Sequence, residues 1–513
     1  MPGHRGATWV FAGIFLSRLF GFLRDRVFAY FFGTSDLADA WRAALRMPNV
    51  LQNLLGEGTL SASLIPVYAE LLEEGREAEA GRFAGAALGI LTVVAGLMTV
   101  GGIVLAPLLV RMFFFEWDPG KQALTTTLVR ILFPMTGLLV ISAWALGILN
   151  SHRRFFISYV APVVWNLAMI VTLVVWGTYR SVAGRDLVVA LAWGALVGGA
   201  LQLALQIPFL LGKLHGFRLS LGRRVVGVRE AVGNFFPVLA ARGVVNLSGW
   251  IDLILAAQLT GGAVAVLGYA QTLYVLPISL FGMSIAASEL PELSRMRRDE
   301  ARVLAERVRT GLTRVAYFLI PSVLAYVALG DVAVGALYQT GAFGPAQTLV
   351  TWGVLAAYAL GLGASAGSRL LSSAFYALRD TRTPARIATL RVAVSVVASL
   401  ALMFPLDHVG FRSLRLGAAG LALGASLAAW VEFGLLRRAL ARSVGRHGPG
   451  MGRVLRMTLA GSLAAATGVA LQLTLPPVHP LVVALETLLP FGVVYGVAAV
   501  VLRVGVSIRG AVR

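Results

Sequence analysis

Residues 12–33 read AGIFLSRLFGFLRDRVFAYFFG, an apolar run long enough to cross a membrane as a helix, with four charged side chains inside it. An unpaired charge in hydrocarbon costs roughly 2.5–3.5 kcal/mol on insertion scales, so such residues persist when they face a wet, protein-lined interior. Snorkelling to a helix end is the alternative for Arg24 and Arg26. Snorkelling explains Arg46 of the next apolar run, residues 37–71, poorly, because apolar helix continues on both sides of Arg46. The stretch therefore predicts a membrane helix beside a polar cavity.

The composition places this helix in a polytopic membrane protein. The chain has 513 residues, of which 58% are hydrophobic and 13% charged, and its mean hydropathy is +0.80. Soluble proteins carry about 25% charged residues. The absence of cysteine excludes disulfides and thiolate chemistry. The net charge of +20 is typical of cytoplasmic loops that touch anionic lipid, and we do not expect nucleic acid as a partner.

Apolar segments recur along the whole chain, and their lengths predict fourteen membrane-spanning helices. The spans lie near 10–32, 38–70, 83–113, 123–149, 157–178, 186–211, 231–259, 263–293, 308–330, 347–377, 384–404, 415–436, 454–475 and 479–502. Arginines concentrate in alternate loops, which the positive-inside rule places in the cytoplasm together with both termini. Lys121 is expected among the few charges of the outer loops.

Two weak internal matches predict the domain organisation. Residues 65–70 resemble residues 290–295, and residues 150–154 resemble residues 376–380, at spacings of 225 and 226. Chance similarity among apolar sequences is the alternative. Otherwise the chain has two six-helix halves, 1–222 and 223–445, followed by two further helices in 446–513. Such repeats are typical of transporters whose two lobes rock against each other.

The second span carries a polar stripe. Its members are Asp39, Arg42, Arg46, Asn53 and Glu57, at steps of 3, 4, 7 and 4. On a helix they stay within about 60° of one another, so this face must meet water or other polar groups. In the first span Arg18 and Asp25 share a face. They form either a static ion pair or one that opens when substrate arrives.

Further charges lie in the second predicted six-helix segment, 223–445. Arg242 and Asp252 fall in the seventh span and Arg391 in the eleventh. Arginine suits phosphate because its guanidinium stays charged and donates paired hydrogen bonds. No nucleotide-binding loop and no histidine–carboxylate cluster with metal-ligand spacing is present. These features indicate a transporter of an anionic substrate and not an enzyme.

The sequence resembles the MurJ/MviN family of bacterial lipid II flippases, which belongs to the multidrug/oligosaccharidyl-lipid/polysaccharide exporter superfamily. The resemblance is strongest in residues 17–25, 32–33, 47–49 and 56–58, and it continues in residues 269–291 and 375–384. It implies a fourteen-helix fold, two lobes around a cationic central cavity, and a groove for a polyprenyl tail formed by the last two helices. Arg18, Arg24 and Asp39 match positions that the family uses in that cavity.

The chain also departs from this family. Gln52 and Thr272 stand where members commonly have arginine. Arg42, Arg46 and Arg242 are the candidates to restore the lost positive charge. Asp252 resembles an acidic cation-site position of some members. We expect Asp252 to pair with Arg391, which would exclude sodium and leave the membrane potential to drive transport.

The predicted function is therefore a lipid II flippase that works by alternating access in the bacterial cytoplasmic membrane. It would act without a cofactor, as a monomer among membrane lipids, and carry the headgroup from the inner to the outer leaflet. An exporter of another polyprenyl-linked oligosaccharide is the nearest alternative. A polyprenyl-phosphate-dependent glycosyltransferase is an alternative from a different class, but the outer loops are short for such an enzyme.

Overall fold

The structure is a computed structural model that describes residues 3–55, 60, 63–222, 225–282, 301–408, 415–445, 447–474, 476 and 479–504. Sixteen α-helices lie within these residues. In chain order they are α1 Gly3–Phe32, α2 Asp36–Leu55, α3 Ile65–Glu73, α4 Glu77–Phe113, α5 Pro119–Ser151, α6 Phe155–Thr172, α7 Gly184–Leu211, α8 Val228–Ala257, α9 Ala263–Pro277, α10 Ala301–Tyr338, α11 Pro345–Ala359, α12 Leu362–Ala377, α13 Arg382–His408, α14 Gly417–Val444, α15 Met451–Thr474 and α16 Pro480–Val501. Helices α6 and α9 each continue into a π-helical segment, Leu173–Tyr179 and Ile278–Gly282.

The helix lengths confirm an all-α polytopic membrane protein. Among the described residues, eleven helical segments are long and apolar enough to cross a membrane. They coincide with eleven of the fourteen predicted spans. The other three predicted spans correspond to α1, α2 and α8. These helices carry Arg24, Asp39 and Asp252, respectively. Large apolar side chains such as Leu97, Val104, Leu489 and Val493 are exposed, as expected of surfaces that face lipid.

The second predicted span, 38–70, contains two helices within the described residues, and residues 56–59 and 61–62 between them lie outside those residues. Helix α2 ends at Leu55 and α3 begins at Ile65, with Pro66 in the first turn of α3. Proline is tolerated in a first turn because its missing N–H would have no helical partner there. The polar stripe therefore belongs to α2 only as far as Leu55.

The chain divides by its contacts into two compact units, Met1–Gly262 and Ala263–Arg513. In the first unit α5 packs against α2, α4 and α7.

A second feature of this unit is a row of three glycines on α4. A β-carbon on Gly81, Gly85 or Gly89 would overlap a backbone carbonyl oxygen of the connection that follows α7. The row of glycines therefore lets this connection lie directly against α4.

The second unit is held together by close helix packing and a few hydrogen bonds. Helices α13 and α14 approach each other at Gly420 and Gly424, where a β-carbon would overlap the backbone of α13. Helices α15 and α16 pack against α10. The Tyr495 hydroxyl donates to the Tyr317 carbonyl oxygen at 2.6 Å, and the Gln472 amide donates to Asp331 at 2.6 Å. Helices α15 and α16 are thus anchored to α10 of the same unit.

The two units do not divide where the internal repeat does. Helix α8 packs on α2 and α4 of the first unit, although the repeat assigns it to the segment 223–445. A repeat reflects similarity along the sequence, whereas the units reflect packing. The boundaries 1–222, 223–445 and 446–513 stay a prediction.

Candidate functional site

Arg24 is the centre of a polar cluster between α1 and α6. Its Nη2 donates to Asp25 Oδ1 at 2.8 Å and its Nε donates to the same oxygen at 3.1 Å. Its Nη1 donates to Asn166 Oδ1 at 3.1 Å, and its Cζ lies 5.5 Å from the centre of the Trp165 ring. The Asn166 amide donates in turn to the Pro162 carbonyl oxygen at 3.0 Å, which turns its oxygen toward Arg24. The guanidinium is therefore fixed in position while 23% of the side chain stays exposed.

The ion pair in this cluster differs from the predicted pair of Arg18 and Asp25. The sequence suggested an ion pair between Arg18 and Asp25, whereas the structure pairs Asp25 with Arg24. Arg18 is exposed and forms no ion pair within the described part of the chain. Sequence reasoning missed Trp165 and Asn166, whose positions 141 and 142 residues after Arg24 give no local signal.

Asp39 lies in a second, deeply buried cluster. Lys121, at the start of α5, donates from Nζ to Asp39 Oδ2 at 2.8 Å and to Asp36 Oδ1 at 2.6 Å. The same nitrogen lies 4.2 Å from the centre of the Trp117 ring. The side chains of Asp39 and Lys121 are only 2% and 7% exposed. The structure shows that Lys121 is a buried, paired residue at the start of α5, and its place on the outer side of the membrane stays a prediction.

A glycine turn completes the Asp39 cluster. The Gly262 N–H donates to Asp39 Oδ2 at 2.7 Å. Gly262 has a φ of 91°, a conformation that glycine adopts without strain. A β-carbon on Gly261 would overlap Asp36, and one on Gly262 would overlap the Thr34 carbonyl oxygen. The turn after α8 is therefore shaped to close over the start of α2, and Asp39 does not line an open cavity in this structure.

The two arginines of the α2 stripe are half-buried within the first unit. The Arg42 guanidinium carbon lies 5.8 Å from the centre of the Phe28 ring. The Arg46 guanidinium lies against α8 at Gly249, where a β-carbon would overlap Nη2. Asp252, one helical turn beyond Gly249, is also half-buried. The stripe therefore points toward protein and not toward lipid at these two positions.

Several predicted site residues are not placed. The side chains of Asn53 and Arg242, and all of Glu57, lie outside the described residues. Gln52 is half-buried. Thr272 donates from its hydroxyl to the Gly268 carbonyl oxygen of its own helix at 3.0 Å. Whether all the predicted residues share one cavity stays a prediction.

Arg391 has a partner inside the second unit. Its Nη1 donates to Glu432 Oε2 at 2.9 Å, with side chains 38% and 10% exposed. Sequence reasoning missed Glu432, although a carboxylate inside an apolar span is itself a signal. The predicted pair between Asp252 and Arg391 joins the two units and stays a prediction. Nearby in the second unit, the Tyr274 hydroxyl donates to Ser365 Oγ at 3.0 Å.

The described residues contain no group of three histidine, aspartate or glutamate side chains that could hold a metal ion. The clusters described above consist of guanidinium groups, carboxylates, amides and aromatic rings. Such groups can bind an anion by hydrogen bonds and charge.

Comparison with known proteins gives one consistent result. The family described as "Lipid II flippase MurJ" matches residues 28–486. The "Probable lipid II flippase MurJ" of Rhizobium meliloti (strain 1021) is 32% identical over 461 residues, covering 88% of this chain and 83% of the relative. The "Lipid II flippase MurJ" of Burkholderia cenocepacia is 29% identical over 459 residues, covering 88% and 86%.

Solved structures show the same fold. The structure "Lipid II flippase MurJ, inward closed conformation" matches with a TM-score of 0.78 at 21% identity, over 98% of this chain and 99% of that one. An inward-facing multidrug resistance MATE family transporter matches with a TM-score of 0.63 at 16% identity, over 83% and 95%. At these identities the likeness concerns the fold alone.

Proposed function

The chain belongs to the MurJ family of lipid II flippases, and from this premise we propose that it carries lipid II from the inner to the outer leaflet of the bacterial cytoplasmic membrane. The observation that carries the proposal is the family match over residues 28–486. No bond is made or broken in this reaction. The work of the protein is to shield a polar diphosphate-linked saccharide from hydrocarbon while the polyprenyl tail stays in lipid.

The Arg24 cluster is suited to the anionic part of this substrate. Asp25 neutralises Arg24 in the absence of substrate, so the buried guanidinium is not left as an isolated charge. A diphosphate offers more acceptor oxygens than one carboxylate and competes with Asp25 for the same donors. Asn166 and Trp165 hold Arg24 in place during the exchange. Exposed Arg18, two turns away on the same helix, adds positive charge.

We propose that arginines at other positions supply the positive charge that this chain lacks at positions 52 and 272. In this chain Gln52 and Thr272 occupy positions where relatives commonly have arginine. We assign the compensating charge to Arg42, Arg46 and Arg242. Transport lost in Arg242→Ala and partly restored by adding Thr272→Arg is the expected result, and no change in either variant would contradict the assignment.

The remaining parts of the proposal concern topology and energy. The basic loops place both termini in the cytoplasm. Helices α15 and α16, which expose apolar faces, provide a groove for the polyprenyl tail. The protein acts as a monomer, and the membrane potential drives the cycle, since moving one charge across 100 mV is worth about 2.3 kcal/mol.

Complementation tests the proposed function. The chain is expressed in cells depleted of their own lipid II flippase, and the leaflet in which lipid II resides is measured. We expect growth and outer-leaflet lipid II. Cells that lyse with lipid II confined to the inner leaflet, although the chain is in the membrane, would contradict the proposal. Rescue only of another polyprenyl-linked oligosaccharide pathway would contradict the choice of lipid II.

A further inference from the structure

A groove with a volume of about 900 Å³ lies between α6 and α7 of the first unit. This volume falls within the range of about 300–1,000 Å³ that is typical of ligand-binding pockets. Most of the side chains that line the groove are apolar, and they include Val164, Leu167, Val171, Val189, Trp193 and Val197. The walls are therefore suited to a hydrocarbon chain and offer little to a saccharide.

Helices α6 and α7 meet at the floor of this groove. A β-carbon on Gly194 would overlap the Thr172 hydroxyl, so glycine allows the two helices to approach closely. Trp165 Nε1 of α6 donates to the Ala195 carbonyl oxygen of α7 at 3.1 Å. The ring of the same tryptophan lies beside Arg24. The helix pair that forms the groove thus also holds one partner of the Arg24 cluster.

The groove is long enough for an acyl chain of one leaflet. Its lining residues on α7 run from Asp186 to Leu201, a distance of about 22 Å at the helical rise of about 1.5 Å per residue. The hydrocarbon core of a bilayer is about 30 Å thick, so the acyl chains of one leaflet span about 15 Å. Because Asp186 lies at the start of α7 and Leu201 lies within it, a headgroup would sit at the Asp186 end.

Charged and aromatic side chains lie at this end of the groove. Trp176 is part of the lining, and the Arg180 guanidinium carbon lies 5.8 Å from the centre of its ring. Arg185 and Asp186 follow each other in the first turn of α7, and all three charged side chains are exposed. Tryptophan and arginine are typical of the headgroup level of a membrane. The mouth of the groove therefore presents both signs of charge where a headgroup would lie.

The two signs of charge distinguish between classes of phospholipid. Guanidinium groups bind the phosphate that all phospholipids carry. The Asp186 carboxylate has no counterpart in a neutral glycerol headgroup, but it can accept hydrogen bonds from a primary ammonium. A choline headgroup is also positive, but its methyl groups leave no N–H to donate. An ethanolamine headgroup therefore matches the mouth of the groove best.

We propose that the groove between α6 and α7 is a specific binding site for a phospholipid with an ethanolamine headgroup. One acyl chain lies along the groove, Arg180 and Arg185 bind the phosphate, and Asp186 accepts from the ammonium. The occupant is a membrane phospholipid and not the transported lipid, because Asp186 would repel a diphosphate. The bound chain supports the helices that hold Trp165, and only this consequence for transport rests on the proposed function.

Photolabelling of the purified full-length protein tests the site. The probe is a phosphatidylethanolamine with a diazirine on one acyl chain, and peptide mass spectrometry locates the labelled residues. We expect the residues that line the groove to carry more label than the exposed face of α4, where Leu97 and Val104 report ordinary contact with lipid. Equal labelling of the two surfaces would indicate surrounding lipid only and would overturn the site.

A matched pair of alanine variants tests the position of the acyl chain. Ala190 lines the groove, so Ala190→Phe should fill the space and lower the labelling of the groove to the level of α4. Ala401→Phe adds the same side chain at an exposed position on α13 and should leave the labelling of the groove unchanged. Equal effects of the two variants would overturn the assigned position.

Exposed charged residues test the headgroup without altering the walls of the groove. The ethanolamine probe should label the groove about two- to fivefold more than a phosphatidylglycerol probe with the same chains, as expected for one exposed charge pair. Asp186→Asn should abolish this preference, and Arg180→Gln should lower labelling by both probes. A preference that survives Asp186→Asn would overturn the headgroup assignment. A polyprenyl probe that displaces both phospholipids from the groove would overturn the choice of occupant.

Translocation in vesicles tests the consequence for transport. Wild-type protein should move lipid II faster in vesicles that contain phosphatidylethanolamine than in vesicles in which phosphatidylcholine replaces it. Ala190→Phe should be equally slow in both, which separates the site from any general effect of the bilayer. A wild-type rate that is the same in both vesicles would overturn the link between the groove and transport. Absence of translocation in either vesicle would contradict the proposed function, whereas the labelling results would still decide the binding site.

Discussion

Two ion pairs among the described residues, Lys121–Asp39 and Arg391–Glu432, differ in how much of each side chain stays exposed. In the first unit Lys121 and Asp39 are 7% and 2% exposed, and a backbone N–H and an aromatic ring complete their surroundings. In the second unit Glu432 is 10% exposed but its partner Arg391 is 38% exposed. Both partners of the first pair are enclosed, whereas the second pair leaves the Arg391 side chain partly exposed.

This difference in exposure indicates different roles: the Lys121–Asp39 pair stabilises the fold, whereas Arg391 can exchange its partner. Removing one member of an enclosed pair leaves a buried charge without compensation, which typically costs 3–5 kcal/mol. A partly exposed guanidinium can turn toward another acceptor when its carboxylate is removed, so we expect that removal to cost less. We therefore expect the Lys121–Asp39 pair to fix the start of α2, and Arg391 to be able to change partners.

The largest effect should come from Lys121→Met. The change removes the positively charged partner of the buried Asp39 carboxylate, and we expect a loss of about 3–5 kcal/mol in the free energy of unfolding. Unfolding of the detergent-solubilised protein measures it. Asp36→Asn is the matched control, since 65% of the Asp36 side chain is exposed, and it should cost under about 1 kcal/mol. Equal losses in the two variants would remove the contrast between enclosed and exposed partners.

An intermediate effect should appear in the second pair, and it should be asymmetric. Arg391→Gln leaves the nearly buried Glu432 carboxylate unpaired and should cost roughly 1–3 kcal/mol. Glu432→Gln leaves a guanidinium that is partly exposed, and we expect it to cost less than Arg391→Gln. The same unfolding measurement decides the order. A greater loss for Glu432→Gln would show that exposure does not set the cost of these pairs.

The smallest effect should be a pH dependence that both units share. Burial, followed by the charge of Lys213, lowers the pKa of His152 in the connection after α5. Burial also lowers the pKa of His447 between α14 and α15, where Arg437 adds to the shift. The unfolded chain binds protons near pH 6.5 before the folded chain does, so stability should fall as the pH drops below about 6.5.

Histidine variants check this pH dependence in each unit. His152→Gln and His447→Gln should each flatten the fall of the melting temperature between about pH 7 and pH 5, near the ordinary histidine pKa. Stability that rises as the pH falls through this range would contradict the lowered pKa values. An unchanged slope in one variant would confine the effect to the unit of the other histidine.

The fold was largely predictable because membrane spans are a property of local composition. Hydrophobic length alone located eleven spans that the structure confirms, and α1, α2 and α8 align with the other three. The second predicted span carries Pro48, Gly56 and Gly58, which favour a bend, but local sequence does not say whether a helix kinks or ends there.

The candidate site was predictable in its residues but not in its partners. A charge inside an apolar run marks Arg24 and Asp39, because hydrocarbon penalises it wherever the run is placed. Their partners Asn166 and Lys121 lie 142 and 82 residues away, and one sequence carries no record of that proximity. The burial of Lys121 was not predictable for the same reason, since a lysine near a helix start resembles an exposed charge until its carboxylate partners are located.

Translocation by purified protein in vesicles tests the central claim most directly. Vesicles contain lipid II with a fluorescent headgroup, and a membrane-impermeant quencher reports the headgroups that reach the outer leaflet. Wild type and Arg26→Ala, a control two residues from Arg24 on α1, should expose the inner headgroups, whereas Arg24→Ala should match protein-free vesicles. Wild-type protein that leaves the inner headgroups protected, or Arg24→Ala that works at the wild-type rate, would contradict this account.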